Sequence, residues 1–231
     1  MAEIRLIAET GSTNDDVAAL AREGAPEGSW LRAERQTGGR GRQGREWRSP
    51  EGNLYASTLI RIRQDDPPAP TLALVAAVAL QEVVAAHVPE QAVAIKWPND
   101  LLVGGAKLSG ILLERFDDAV VIGFGVNLAR SPEGLDRPAT CLAALTGASP
   151  DPAAFLEMLA ESFARWLARW RGEGLTLVRT RWLAAAHPIG TALSTHHGDG
   201  LFDGLDENGA LRLRLADGSS HVIHAGDVFL I

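Results

Sequence analysis

The stretch from Ala92 to Ala129, AVAIKWPNDLLVGGAKLSGILLERFDDAVVIGFGVNLA, does most to limit what this chain can become. Its apolar runs are cut at short intervals by Pro-Asn-Asp, Gly-Gly and Asp-Asp, which is the pattern of three or four strands in a meander and leaves no room for a long helix. The centre of the chain is therefore a sheet, and the flanking sequence must supply its cover. TLALVAAVALQEVVAAHV, just upstream, is apolar nearly all round and predicts a buried helix. Downstream, Pro152 suits a first helical position, and Phe155, Leu156, Leu159, Phe163, Trp166, Leu167 and Trp170 recur at helical spacing. Both tryptophans read as core. A second helix is expected from about Leu175 to Ala186.

The ends are different in kind. EIRLIAETGSTNDDVAALAREG predicts a strand, a polar turn, and a helix capped near Ser12 to Asn14 with Asp15 and Asp16 in its first turn. WLRAERQTGGRGRQGREWRSPEGN reads as one long loop, followed by a strand over NLYASTLIRIR. The last residues, 187–231, are short alternating runs separated by Gly-Asp, Glu-Asn-Gly and Asp-Gly-Ser turns, a small all-β module. The expected organisation is a large α/β unit over residues 1–186, a mixed sheet with helices, and the β module after it.

Composition removes several function classes. With 22 basic against 29 acidic side chains, a net charge of −7 and a pI near 5.4, the chain is not built to track a nucleic acid backbone, so any anion site must be local. The longest uninterrupted apolar run, Leu72 to Leu80, falls far short of the roughly 20 residues of a membrane span. The start, MAEIRLIAE, has no signal-peptide pattern, which favours the cytoplasm. A single cysteine, Cys141, excludes an internal disulfide and reads as a small buried apolar side chain.

Between Trp30 and Arg48 lie six Arg, two Glu and four Gly, a local charge of +4 in an acidic chain. Gly38, Gly39, Gly41 and Gly44 let backbone approach a ligand closely, while Arg40, Arg42 and Arg45 offer bidentate donors to phosphate or carboxylate. Trp47 follows at once; its ring suits a nucleobase or the core about equally. Of the 22 basic residues only two are lysines, Lys96 and Lys107, and both fall in KWPNDLLVGGAKLSGILLE. A lysine ammonium is a compact point charge that reaches into a crowded site, where a guanidinium is broad and planar. Asn99 and Asp100 after Pro98 make a turn, or place an amide and a carboxylate at a strand end. Gly123 and Gly125, inside a strand with Asn127 at its end, weaken that strand unless another group must come close. His196, His197, His221 and His224 lack zinc-like spacing and read as surface residues.

In order, ETGSTND, QTGGRGRQGREW, KWPNDL, KLSGILLE and GFGVNL resemble the biotin protein ligases, over nearly the whole chain. The resemblance implies a catalytic domain like the class II aminoacyl-tRNA synthetase core, over 1–186, and an SH3-like barrel over 187–231. It implies joining biotin to ATP as biotinyl-5′-adenylate, with Mg²⁺, then transfer of biotin to one lysine of a biotin carboxyl carrier protein. It places Ser12, Thr13, Asn14, Gln36, Arg40, Gly41, Arg42, Lys107 and Gly110 around biotin, and Arg45, Trp47, Lys96, Asn99 and Asn127 around the adenylate. Arg40, Arg42, Lys107 and Asp100 would act at the reacting centre, with any metal bound mainly through the ATP phosphates. The apolar lining is expected from neighbours such as Leu113, Gly110 and Ile122. Larger members carry an N-terminal helix-turn-helix. Here the first ligase motif begins at Glu9, so the expectation is ligase activity without operator binding or membrane association, and a possible sheet-edge homodimer. The segment Gly38 to Trp47 is expected to close over the substrates. Two other readings are a lipoate ligase of the same fold and an Arg-Gly RNA-binding protein; the latter leaves KWPNDL and KLSGILLE unexplained.

Overall fold

A computed structural model describes residues 3–132, 134 and 137–231. The elements in chain order are β1 (Ile4–Thr10), α1 (Thr13–Arg22), β2 (Trp30–Gln36), β3 (Leu54–Arg61), α2 (Leu72–His87), β4 (Val93–Lys96), β5 (Asp100–Val103), β6 (Ala106–Phe116) and β7 (Ala119–Val126). They continue with α3 (Leu142–Thr146), α4 (Pro152–Glu173), α5 (Leu175–Ala185), β8 (Ala192–Thr195), β9 (Gly198–Leu205), β10 (Leu211–Arg214), β11 (Ser220–Ile223) and β12 (Val228–Leu230). The central meander is four strands, β4 to β7. The long loop expected from Trp30 is shorter than its composition suggests, because Trp30–Gln36 is a strand buried on both faces at its start, Trp30 toward the helix-covered core and Leu31 toward α1, with Ala33 buried as well. Its charges, Arg32, Glu34 and Arg35, fall on both faces and leave no alternation to read.

Seven strands form one mixed sheet in the order β1-β2-β3-β7-β6-β5-β4; only β1 and β2 run parallel, and every other neighbouring pair is antiparallel. One face is covered by α2, α4 and α5, and the aromatic rings of Trp30, Phe124 and Phe163 meet there at 5.6 to 6.1 Å. Ala69–His87 is long and apolar enough to cross a bilayer, yet α2 is the central core helix here, with Leu72 through Leu80 buried on nearly every side. α4 starts as its sequence directs: Asp151 accepts from the Ala154 N–H at 3.0 Å and Pro152 follows as the first helical residue. Trp166 and Trp170 are core residues, and Cys141 is buried.

The opposite face is only half covered. α1 packs Val17 and Ala18 on Leu31, Leu59 and Val121, and its N-terminus stops short of the other half. The C-terminal strands form a second, antiparallel sheet in the order β11-β10-β9-β8-β12. The Trp97 indole donates to the Gly209 carbonyl at 3.3 Å and so links the two sheets.

Candidate active site

The uncovered half of the sheet is floored by alternate residues of β6 and β7. Gly110 pairs with Gly125 and Leu112 with Gly123, so these four share the open face, while Ile111, Leu113, Ile122 and Phe124 point to the core. Leu113 and Ile122 therefore do not line the site; Leu112 does. The side-chain period of a strand is two, and a one-residue error in register exchanges the faces.

The glycines are there because other groups occupy their side-chain space. A Cβ on Gly123 would collide with the Asn14 amide, and one on Gly125 would lie 2.5 to 2.7 Å from three atoms of the Trp47 indole. A Cβ on Gly110 would stand 3.0 Å from the same ring. Trp47 thus lies against the sheet, its indole N–H buried without a partner.

A cavity of about 700 Å³ opens over this floor. One end is neutral and polar. The Thr13 backbone N–H donates to Gln36 Oε1 at 2.9 Å, the Gln36 amide donates to Ser49 Oγ at 3.2 Å, and the Ser57 hydroxyl lies 2.6 Å from Asn14 Oδ1. Ser12, Thr13 and Asn14 are all buried. Ser12 begins α1 but makes no side-chain cap bond, so its hydroxyl belongs to the cavity wall instead of the helix.

The middle of the cavity is cationic. Lys107 Nζ is 2.6 Å from Asp100 Oδ1 and 5.4 Å from the Trp47 ring centre. Lys96, 8% exposed, stands 3.8 Å from the other oxygen of Asp100. Burial pulls the Lys96 ammonium below the usual lysine range; Asp100 opposes that, and Arg137 and Lys107 add to it. Arg42 lies close to Asp227 and donates to the Gly226 carbonyl at 3.0 Å, while Arg45 Nη2 binds Asp227 at 2.8 Å. Burial opposes ionisation of Asp227, but Arg45, Arg42 and Arg137 outweigh it and hold its carboxyl below the ordinary range. The arginine loop is in this way fastened to the second sheet.

Apart from Leu113 and Ile122, every residue singled out in the sequence for biotin or adenylate lines this one cavity, from Ser12 to Asn127. Two of them also do local structural work: the Asn99 amide donates to the Ile111 carbonyl at 2.6 Å, and the Asn127 amide donates to the Thr140 carbonyl at 3.0 Å. Sequence reasoning missed several contributions. Arg137, Val228 and Phe229 line the cavity as well, with the Arg137 guanidinium 3.9 Å from the Phe229 ring centre. Asp227 had only its closing AGDVFLI context. Asp15 was read as a helix-dipole residue, but it pairs with Arg40. His196, His197 and His221 are exposed and mutually close, and among the described residues no group of three or more His, Cys, Asp or Glu is arranged to hold a metal ion.

Residues 8–127 match the Biotin/lipoate A/B protein ligase family, and residues 199–231 match the Biotin protein ligase C terminal domain. The chain belongs to this family. It is 40% identical to the biotin--[acetyl-CoA-carboxylase] ligase of Paracoccus denitrificans, over 97% of this chain and 99% of that one. The corresponding ligase of Mycobacterium tuberculosis is 35% identical, over 98% and 88%. The fold matches a biotin protein ligase from Aquifex aeolicus, solved in complex with biotin and ATP, with a TM-score of 0.87 and 27% identity over 100% of this chain and 99% of that one. The mixed sheet with its helices, and the second antiparallel sheet as a small β domain, are thus those of a biotin protein ligase.

Proposed function

We infer that the protein is a biotin–[acetyl-CoA-carboxylase] ligase, which uses ATP to activate biotin and then attaches it to an acceptor lysine. The observation that carries this is the shared cavity, with its hydroxyl and amide end, glycine floor and cationic centre. The curated relatives are biotin ligases over nearly their full length, which favours biotin over lipoate. KWPNDL and KLSGILLE supply cavity residues, which an RNA-binding reading leaves without a purpose.

In the first step a biotin carboxylate oxygen bonds to the α-phosphorus of ATP, and the bond from that phosphorus to the pyrophosphate oxygen breaks. Both reactants are anionic, so the protein's task is to hold them aligned and neutralise charge that accumulates. Lys107 and Arg42 are proposed at the reacting centre, with Arg45 and Lys96 on the phosphate side. In the second step the neutral amine of the acceptor lysine attacks the acyl carbon and AMP leaves. Asp100, 2.6 Å from Lys107, is the proposed acceptor of the amine proton. Ser12, Thr13, Asn14 and Gln36 fit the ureido end of biotin, which offers two N–H donors and one carbonyl.

Mg²⁺ is proposed to enter with the ATP phosphates and to supply charge neutralisation there. The acceptor is proposed to be a biotin carboxyl carrier domain, and the site of action the cytoplasm. The domain division at residue 187, the absence of operator and membrane binding, and pairing through a free sheet edge are parts of the same proposal. Net charge −7 supports the statement on DNA. Band-shift titration with a biotin-operon fragment and sedimentation of the purified protein test those last points. The activity itself is tested by release of pyrophosphate from ATP in the presence of biotin, compared with lipoate.

A further inference from the structure

Arg40 differs from the other cations of its loop. Its guanidinium makes a bidentate pair with Asp15, at 2.6 Å for both contacts, and its Nη2 also reaches both oxygens of Glu114 at 3.1 Å. Two carboxylates therefore surround one guanidinium, 30% exposed, and no net positive charge is left there for an anionic substrate. The bond to Asp15 holds that carboxyl below the ordinary aspartate range. The two acids come from different elements. Asp15 stands in the first turn of α1 and Glu114 near the far end of β6, and neither lines the cavity.

Glu114 has a second partner. The Asn14 amide donates to its Oε2 at 2.7 Å, while Asn14 Oδ1 receives the Ser57 hydroxyl beneath the cavity. The same carboxylate thus orients the amide at the polar end of the cavity and holds the loop that carries Arg42, Arg45 and Trp47. Only one main-chain step separates Arg40 from Gly41, and the loop's own bonds, Gly41 N–H to Arg45 O at 2.7 Å and Trp47 N–H to Gly39 O at 2.9 Å, make Gly39 to Trp47 a single unit.

We propose that Asp15 and Glu114 are positioning residues that act through Arg40, clamping the arginine loop shut over the polar end of the cavity and coupling that closure to the orientation of Asn14. Arg40 is then a fastening and not a ligand of the reacting groups. The substrate in question rests on the ligase reading above; the clamp itself does not, and its test includes a measurement that needs no substrate.

The experiment compares wild type with Asp15→Asn, Glu114→Gln and the double variant, with Asp15→Glu as the charge-keeping control. Amide hydrogen exchange of residues 38–47 in the protein alone should speed up about three- to tenfold in the double variant. It should stay near wild type in Asp15→Glu, and helix α4 should be unaffected. With biotin and ATP, the enzyme-bound acyl-adenylate should be lost faster by a similar factor, and KM for biotin should rise more than kcat falls. Unchanged exchange in the double variant overturns the clamp. So does an Arg40→Gln variant that loses the rate of adenylate formation at saturating substrate when the double acid variant keeps it, since Arg40 would then touch the substrate directly. A wild-type protein that forms no biotinyl-adenylate, but whose loop exchange responds as described, refutes the ligase reading and leaves the clamp standing.

Discussion

Replacing Gly125 by Ala probes the floor of the site with a single carbon. Gly125 is in the interior of β7, where alanine is compatible with the strand, so the backbone itself gives no reason for a defect. The added Cβ would sit 2.5 Å from Trp47 Cε2, 2.7 Å from Cζ2 and 2.7 Å from Nε1, all well inside van der Waals contact. Either the sheet or the indole must move. The sheet is pinned by β3 on one side of β7 and β6 on the other, whereas Trp47 is carried by a loop, so the indole should move. Overpacking of this sort costs about 1–3 kcal/mol. At about 1.4 kcal/mol per tenfold, that is a loss of roughly five- to more than a hundredfold in affinity for whatever the closed loop retains. Isothermal titration with biotin, and dissociation of biotinyl-adenylate followed by chase, measure it. The melting midpoint should fall by less than the ligand affinity implies, because the strain is relieved by loop displacement. A Gly125→Ala enzyme that binds biotin and holds the intermediate as wild type does would refute the packing of Trp47 on the glycine floor.

Three further outcomes are expected. Lys107→Ala should lower kcat/KM for adenylate formation by about a hundredfold or more, the magnitude seen when a charge-stabilising group is removed, while melting changes little; stopped-flow pyrophosphate release reads it. Arg171→Ala should destabilise the fold by about 3 kcal/mol, because it bonds Glu27 at 2.6 and 2.8 Å and Asp66 at 3.1 Å and would leave the Asp66 carboxylate, 4% exposed, without that partner; thermal unfolding is the check. Finally, the carboxyls of Asp15, held low by its bond to Arg40, and of Asp227, held low by its arginines against burial, contribute loop anchoring that is complete above the unfolded carboxylate pKa of about 4 and is lost as pH falls through their lower folded values. The Trp47 indole resonance should therefore be constant from about pH 7 to 5 and shift only below about pH 4; a shift between pH 6 and 7 would contradict this.

The parts of the fold that were legible in the sequence are those where one physical rule acted alone. The β4–β7 meander was fixed by its breakers, α2 by apolar residues on every side, and α4 by spacing and a proline at its start. The first half of the arginine-rich stretch does not read as a strand because β2 buries Trp30 on one face and Leu31 on the other and carries charge on both, so no alternation marks it. The lining of the site was placed one residue off: Leu113 and Ile122 look as apolar as Leu112, and nothing local says which face of β6 meets the helices. Gly123 and Gly125 did announce that something approaches, and the structure identifies the visitors as Asn14 and Trp47. Partners distant in sequence carried no signal at all. Arg40 with Glu114 and Arg45 with Asp227 join residues 74 and 182 positions apart.

The central claim is that this cavity joins biotin to ATP and then to protein. The most direct test is mass spectrometry of a biotin carrier domain after incubation with the protein, biotin, ATP and Mg²⁺. The account predicts that the carrier gains one biotinyl group on one lysine, with pyrophosphate released, and that lipoate in place of biotin leaves it unmodified. A carrier unchanged with biotin, or one modified with lipoate instead, would contradict it.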